Sequence, residues 1–272
     1  MKRIFSTVVF FCFLALLLCG KGNGLSAESS WRESLARDNI RLWGAEAALF
    51  PDAPIYYAVI PDKEYYTDVE NKSFYSVLLA LARDNAPENA KEIPLFPLLS
   101  ESDYYPGDRH WRQENLYLIA GRIAETMGVK MEDATAFRED RWENTVYLCS
   151  PVLDTCSVFY YTMGENGIDA KKGDLYQKTP GVGYSLFLAG TQALVRIENP
   201  LCENGRSLIL FRDSFASSLA PLFVGGYERV WLIDTRYLSH RLLTGISELI
   251  GESDPDILFL YSAAALAGTV MR

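Results

Sequence analysis

The sequence predicts a three-layer α/β domain with a parallel central sheet and an inserted β-rich subdomain. Short apolar runs without polar alternation recur along the chain, which is typical of strands buried on both faces of a parallel sheet. Segments with the apolar spacing of amphipathic helices lie between these runs. Strands that alternate with helices indicate a sheet covered by helices on both faces.

The first half of the chain begins this alternation. Residues 55–60 (IYYAVI) form an apolar run that Pro61 closes, and this pattern predicts a strand. Apolar residues at helical spacing predict a helix over 73–83. A second amphipathic helix is predicted over 112–127, where the apolar residues share one face and Gly128 stands at the C-cap position.

A different pattern covers residues 136–200. Short runs with strand character replace the helical spacing there, which predicts a β-rich insertion. These runs predict two pairs of strands, 144–149 with 157–161 and 183–189 with 193–198.

The last third of the chain returns to alternating strands and helices. Strands are predicted at 207–211, 229–234 and 256–261, because each run is short and continuously apolar. A helix is predicted over 239–250, with Gly251 as its stop signal.

The N-terminus has the layout of a secretory signal peptide. A basic start (MKR) precedes an apolar stretch over 4–18, and Ala27 offers a small residue for cleavage. The stretch is about fifteen residues long, short of the roughly 20 that a helix needs to span a bilayer. We therefore predict that residues 1–27 are a signal peptide or, if uncleaved, an N-terminal membrane anchor. Residues 28–272 are predicted to be the exported, extracytoplasmic domain.

Composition argues against several classes of partner and cofactor. Without the three basic residues of the N-terminal segment, the formal net charge changes from −9 to −12. No stripe rich in Lys and Arg is present, so nucleic acid is not expected as a partner. Neither a zinc-like Cys/His spacing nor a nucleotide-binding glycine motif is present, so no metal and no cofactor is predicted. Cys149 and Cys156 could close a small disulfide loop in an oxidising compartment.

Two short motifs carry groups suited to nucleophilic catalysis. Residues 108–111 (DRHW) place Asp108 two residues from His110, and Ser214 follows the apolar run at 207–211. A serine hydroxyl is a poor nucleophile until a base removes its proton, and an imidazole does this best when a carboxylate fixes its tautomer. Sites in open α/β sheets gather at the carboxyl ends of the strands, where Ser214 is expected to lie. Ser214, His110 and Asp108 are therefore the predicted catalytic residues.

Each of these residues also has a structural interpretation. Asp213 and Ser214 are common N-cap residues, His110 could be a hydrogen-bonded structural histidine, and Trp111 could be a core anchor. Nucleophile, base and orienting acid occur together, and this combination favours the catalytic interpretation.

The chain resembles the family of exported proteins named for its Asp-His-His-Trp (DHHW) motif. That family is SGNH-hydrolase-like and related to the domains of alginate O-acetylation. Segments 108–111 and 212–215 (RDSF) carry the resemblance, which runs in the family's order over about residues 50–262. The other matching segments are 60–65 (IPDKEY), 104–105 (YY), 187–190 (FLAG), 197–199 (IEN) and 233–237 (IDTRY).

The resemblance implies a circularly permuted SGNH arrangement with a flavodoxin-like parallel sheet. It assigns Ser214 as the nucleophile, His110 as the base and Asp108 as the carboxylate that orients the base. Two positions depart from the pattern: Arg109 replaces the first histidine of the motif, and Arg212 stands where a hydrolase Gly-Asp-Ser has glycine.

The resemblance leaves the oxyanion-hole asparagine of SGNH enzymes without a counterpart. Gly190 and Thr191 fall at a comparable position. Substrate contacts are predicted at both residues, and also at Lys63, Tyr105, Trp111, Arg236 and Tyr237. Of these, Arg236 and Lys63 could instead form ion pairs within the domain.

The predicted function is that of an exported serine-nucleophile enzyme that acts on acyl esters of cell-envelope or extracellular polysaccharide. It would be an O-acetyltransferase or an acetylesterase. The resemblance favours acetyl transfer, with a membrane-bound acyltransferase as the partner that supplies acetyl groups. The alternative is a non-catalytic carbohydrate-binding or assembly factor built on the same SGNH frame.

Overall fold

The computed structural model describes residues 21–68, 72–164, 167–238, 240–251, 255–268 and 271. Most of the predicted signal segment, residues 1–20, lies outside these described residues. The rest of it, 21–27, belongs to the first helix. Within the described part of the chain, no helix is both long enough and apolar enough to cross a membrane.

Helices and strands alternate along the chain. The first half contains α1 (Lys21–Ala47), β1 (Ile55–Ile60), α2 (Glu64–Thr67), α3 (Lys72–Asn85), β2 (Lys91–Glu92) and α4 (Tyr117–Met127). The β-rich segment contains β3 (Arg138–Trp142), β4 (Thr145–Cys149), α5 (Pro151–Thr155), β5 (Ser157–Gly164), β6 (Gly167–Gly173) and β7 (Leu194–Glu198). The last third contains β8 (Ser207–Arg212), α6 (Ala216–Leu219), β9 (Arg229–Ile233), α7 (His240–Ile250), β10 (Asp256–Ser262) and α8 (Ala263–Gly268).

Eight of the described strands form one sheet, in the order β2–β1–β10–β8–β9–β7–β5–β6. The strands from β2 to β9 in this order are parallel. β7, β5 and β6 are added antiparallel. The four strands β1, β8, β9 and β10, which the sequence predicts, are therefore neighbours in a parallel sheet whose carboxyl ends share one edge.

Helices cover both faces of this sheet. Leu208 and Leu210 of β8 face the layer that contains α4 and α6. Ile209 and Phe211 face the opposite layer, which contains α1, α3 and α7. All four side chains are fully buried, which explains why the strand is continuously apolar. The predicted three-layer α/β fold is confirmed.

The β-rich segment pairs differently from the prediction. β4 pairs with β3 in a separate two-stranded sheet, and not with residues 157–161. β5 lies between β6 and β7 and extends the central sheet. The sequence gives no signal for β3 and β6 because most of their residues are polar and exposed, so neither strand shows apolar alternation.

The strand predicted at 183–189 is also wrong. Gly183–Leu186 forms a 3₁₀ helix, and β7 pairs with β5 and β9 instead. The apolar run arises because Leu186, Phe187 and Leu188 are fully buried side chains. Periodicity alone does not distinguish a short buried helix from a short buried strand.

The cysteines of the described part of the chain are free thiols. The Cys156 thiol donates to the carbonyl oxygen of Val152 at 3.3 Å, and burial raises its pKa to about 12. The loop closure that the sequence allows between Cys149 and Cys156 is therefore not formed in this structure.

Glu46 of α1 is a carboxyl group buried in the core, with an exposure of 3%. Burial raises its pKa from 4.5 to about 8, although a hydrogen bond with the Thr235 side chain acts in the opposite direction. The folded protein therefore keeps a proton on Glu46 that the unfolded chain releases at lower pH. The contribution of Glu46 to the free energy of unfolding is therefore fully present below pH 4.5 and is lost as the pH rises towards 8.

We expect Glu46→Gln to reduce the loss of stability between about pH 5 and about pH 9. Glutamine keeps the shape of the side chain but cannot ionise, so at the upper end the variant should be more stable by on the order of 2 kcal/mol. Urea unfolding across this pH range measures the effect. Glu248→Gln, at an exposed position of α7, is the control and should follow the wild type. An unchanged pH dependence in Glu46→Gln would contradict the burial of an ionisable Glu46.

Candidate active site

The loop that carries Asp108 and His110 is fixed by a tight turn. The Asp108 N–H donates to the Tyr105 carbonyl at 3.4 Å, with Pro106 and Gly107 between them. Proline at the second position and glycine at the third, here with φ +77°, are the residues that a type II turn requires. The Tyr105 N–H in turn donates to the His110 carbonyl at 3.0 Å, which closes the loop.

Asp108, His110 and Ser214 form a continuous chain of hydrogen bonds. Nδ1 of His110 lies 2.7 Å from Oδ1 of Asp108, and Nε2 lies 2.9 Å from Oγ of Ser214. Because an ionised carboxylate only accepts, Nδ1 carries the proton and Nε2 is left to accept one from the serine. The structure thus brings together the three residues that the sequence nominates, although 104 residues separate His110 from Ser214.

Burial lowers the pKa of His110 below its ordinary 6.5, while the adjacent Asp108 carboxylate acts in the opposite direction. The imidazole is therefore neutral near pH 7. A neutral imidazole is the form that can remove a proton from the serine hydroxyl.

Asp213 shapes the turn that presents Ser214. Its Oδ1 accepts the N–H of Phe215 at 2.9 Å, and its Oδ2 accepts the N–H of Ser262, at the end of β10, at 2.8 Å. The capping role that the sequence allows for both residues thus belongs to Asp213. The Ser214 hydroxyl is directed at His110 instead.

Arg212 ends β8 with its side chain fully buried. Its guanidinium donates to the carbonyl oxygens of Asp213 at 3.3 Å and Gln192 at 3.1 Å. It also lies 4.0 Å from the carboxylate of Asp234. Arg212 therefore ties the turn that carries Ser214 to the segment before β7.

A pocket of about 510 Å³ opens at Ser214. Its lining includes the three predicted catalytic residues and four of the predicted substrate contacts: Gly190, Thr191, Arg236 and Tyr237. The described residues include no cluster of three or more His, Cys, Asp or Glu side chains that could hold a metal ion.

Three predicted contact residues lie outside the lining of this pocket. The Lys63 ammonium donates to the Tyr105 carbonyl at 3.3 Å, and the Tyr105 ring lies near the guanidinium of Arg112. Trp111 is fully buried and its Nε1–H donates to the Phe215 carbonyl at 2.9 Å. These contacts match the structural interpretation of Trp111.

Arg236 lines the pocket while paired within the domain. Its guanidinium donates to both carboxylate oxygens of Asp234, at 2.8 and 2.6 Å. The ion pair that the sequence leaves open for Arg236 is therefore formed.

The backbone N–H groups near Ser214 differ in whether they already donate a hydrogen bond within the protein. The N–H of Gly190 donates to the Phe187 carbonyl at 3.0 Å. The N–H groups of Ser214 and Thr191 donate to no acceptor in the described part of the chain. Such groups can bind an oxygen on which negative charge develops.

Sequence reasoning missed two features of the site. One is Tyr184, whose ring stacks on His110; the sequence interpretation placed it in a strand. The other is the left-handed backbone of Leu188 and Ala189, with φ +50° and +54°, directly before Gly190. Left-handed conformations of residues other than glycine store strain and concentrate at functional sites. Gly181 and Gly183, which lie just before Tyr184, were the signal in the sequence that this segment turns.

The sheet and the helices on its two faces define a three-layer α/β fold. The sequence matches no family model, and no curated protein matches it. Solved structures do share the fold. A DHHW family protein from Eubacterium siraeum DSM 15702 is 18% identical with a TM-score of 0.70, over 87% of this chain and 86% of that protein.

Bacillus cereus PatB1, solved with a sulfonyl adduct, is also similar. It is 18% identical with a TM-score of 0.63, over 88% of this chain and 90% of PatB1. A second structure of PatB1 has a TM-score of 0.59 at 16% identity. These similarities confirm the predicted fold.

Gly190→Ala is expected to destabilise the protein more than Gly205→Ala. Both glycines have a left-handed backbone, with φ +69° and +70°, so either substitution should cost about 1 kcal/mol in backbone strain. A methyl group at 190 would also lie 2.7 Å from Oγ of Ser185, whereas one at 205 meets no atom within 4 Å. Overpacking of this kind should add about 1–3 kcal/mol in urea unfolding.

A second substitution tests whether this contact is the cause. Ser185→Gly removes the side chain that the new methyl group would meet, so it should restore part of the stability lost in Gly190→Ala. Equal destabilisation by Gly190→Ala and Gly205→Ala would show that the contact with Ser185 has no effect.

Proposed function

We propose that this protein is an exported serine-nucleophile enzyme that acts on acyl esters of polysaccharide, as an O-acetyltransferase or an acetylesterase. The observation that carries the proposal is the hydrogen-bond chain from Asp108 through His110 to Ser214. Each of the three groups has the geometry that its role in acyl transfer requires. The similarity to PatB1, an O-acetyltransferase, supports the same general kind of activity.

The first half of the reaction forms an acyl-serine. Nε2 of His110 takes the proton of the Ser214 hydroxyl as Oγ bonds to the ester carbonyl carbon. The negative charge that develops on the carbonyl oxygen is bound by the free N–H groups of Ser214 and Thr191. The bond to the leaving alcohol then breaks, and the imidazolium returns its proton to the departing oxygen.

The second half of the reaction removes the acyl group from Ser214. A hydroxyl group attacks the acyl-serine while His110 takes its proton, and Oγ of Ser214 then leaves with that proton. Transfer and hydrolysis differ only in whether the attacking hydroxyl belongs to a sugar or to water. In the proposed role the acceptor is a polysaccharide, and a membrane-bound acyltransferase supplies the acetyl groups.

The alternative function is non-catalytic carbohydrate binding or assembly on the same frame. Two departures from the SGNH pattern favour this alternative: the oxyanion-hole asparagine has no counterpart that the resemblance places, and Arg212 stands where a hydrolase has glycine. A binding protein has no need of an activated serine. The reactivity of Ser214 therefore separates the two functions.

We expect a sulfonyl fluoride such as phenylmethylsulfonyl fluoride to label the protein once, on Ser214. Ser214→Ala should take up no label, and His110→Ala should react at least about 100-fold more slowly because the base is absent. Ser185→Ala is the control and should react like the wild type. Ser185 also lines the pocket, but its side chain contacts neither His110 nor Ser214. Intact mass and peptide mapping measure the label. A folded wild-type protein that remains unlabelled would transfer the support to the binding function.

The labelling rate should rise with pH to a plateau, with a midpoint below 6.5. This follows because the reactive form has a neutral His110, whose pKa burial lowers. Asp108→Asn removes the carboxylate that raises this pKa, so the midpoint should move to still lower pH. The plateau should fall by about 10²–10⁴-fold because the tautomer is no longer fixed. A midpoint above 6.5 in the wild type would contradict the burial of a neutral imidazole.

A further inference from the structure

Tyr184 contacts the base directly, yet the reaction described above assigns it no part. It lies in the 3₁₀ helix Gly183–Leu186. Its ring stacks on the imidazole of His110, with centroids 3.8 Å apart and an angle of 9° between the planes. Among the described residues, the other ring beside the imidazole is that of Phe215, at 4.9 Å and 47°.

The hydroxyl of Tyr184 is fixed on the turn that carries the nucleophile. It donates to the carbonyl of Phe215 at 3.0 Å and shares a hydrogen bond of 2.8 Å with Oγ of Ser218. Nε1–H of Trp111 donates to the same two oxygens, at 2.9 and 3.0 Å. Trp111 directly follows His110 and Phe215 directly follows Ser214. Tyr184 and Trp111 are therefore both anchored to the backbone next to the nucleophile.

We propose that Tyr184 is a positioning residue that holds the His110 imidazole in the plane joining Asp108 to Ser214. The stacked ring fixes the tilt of the imidazole, and the phenol hydroxyl fixes the position of that ring relative to Ser214. This inference rests on the proposed function in so far as that function makes His110 the base.

A second effect of the stacked ring is to shield one face of the imidazole from water. The charged groups that face His110 are Asp108 and Arg109 on its own loop and Asp213 in the turn after β8. Arg236 and Tyr237 belong to the other wall of the pocket. Tyr184 adds no charge, because burial raises the pKa of its phenol far above neutral pH. It acts on His110 through shielding, which disfavours the charged form of the imidazole.

Two substitutions separate the ring of Tyr184 from its hydroxyl. Tyr184→Phe keeps the stack and loses the anchor, whereas Tyr184→Leu loses the stack. Tyr184→Met fills the same space with a flexible apolar side chain and serves if the leucine variant is not folded. Tyr176→Leu is the matched control: Tyr176 belongs to the same apolar cluster, and its ring packs on Phe187 without touching His110.

The first readout is the pKa of His110 by NMR, which requires no enzymatic activity. The chain has only two histidines, so a His240→Gln background leaves His110 as the single imidazole. Tyr184→Leu should raise this pKa by about 0.5 or more, because water reaches a ring whose burial is the main cause of its lowered pKa. Tyr184→Phe and Tyr176→Leu should leave it within about 0.3 of the wild-type value.

The second readout is the rate of Ser214 labelling by the sulfonyl fluoride at plateau pH. We expect a decrease of about 10-fold or more in Tyr184→Leu and of less than about 5-fold in Tyr184→Phe and Tyr176→Leu. A folded Tyr184→Leu protein with the wild-type pKa and labelling rate would overturn the role of Tyr184. Equal effects of Tyr176→Leu would overturn it too, because they would reflect the fold as a whole. Failure of the wild type to label would count against the proposed function alone, since the NMR comparison would still decide the role of Tyr184.

Discussion

The carboxylate of Asp213 holds the turn on which the site depends. It is almost fully buried, and each of its oxygens accepts a different backbone N–H, one within the turn and one at the end of β10. The position of Ser214 therefore depends on the parallel register of β8 and β10, in which Arg212 lies beside Leu260. Both carboxylate oxygens of Asp213 are occupied by the backbone, and His110 is the partner of the adjacent serine hydroxyl.

A second constraint is the set of charges buried behind this turn. A buried charge is costly unless it is paired and hydrogen-bonded. Arg212 donates to two carbonyl oxygens and lies near Asp234, while its Nε–H has no partner among the described residues. The Gln192 carbonyl that it binds follows the left-handed stretch Leu188–Gly190. At the other end of that stretch, the Leu188 N–H donates to the Leu175 carbonyl. The strained segment is thus held at both ends, which is how the surrounding structure can maintain a locally unfavourable backbone.

The sequence predicts the parallel core of the fold well because burial on both faces leaves a strong trace. The strands β1, β8, β9 and β10 are each continuously apolar, and their predicted bounds differ from the observed ones by at most one residue. β3 and β6 are exposed and polar, so their pairing depends on contacts that no local pattern records. The 3₁₀ helix Gly183–Leu186 was misinterpreted because its burial imitates that of a strand.

The site follows the same rule. Asp108 and His110 are separated by one residue, so their chemistry is visible locally, and Ser214 follows a recognisable strand. Tyr184 and Arg212 act through contacts between distant segments, with Phe215 and Gln192 respectively. A single sequence does not show such contacts. Local signals in a sequence therefore identify Asp108, His110 and Ser214 but not the contacts that the arrangement of the loops creates.

The position of β10 has a consequence for how this protein is made. The last strand of the described chain lies between β1 and β8 in the sheet, and not at an edge. A nascent chain that has not yet released β10 would leave the hydrogen-bonding edges of both neighbouring strands open, and would also lack the Ser262 N–H that binds Asp213. Completion of the sheet and assembly of the site therefore coincide. Both must wait until residues 256–262 are available, so the position of Ser214 depends on a strand that lies far along the chain from β1.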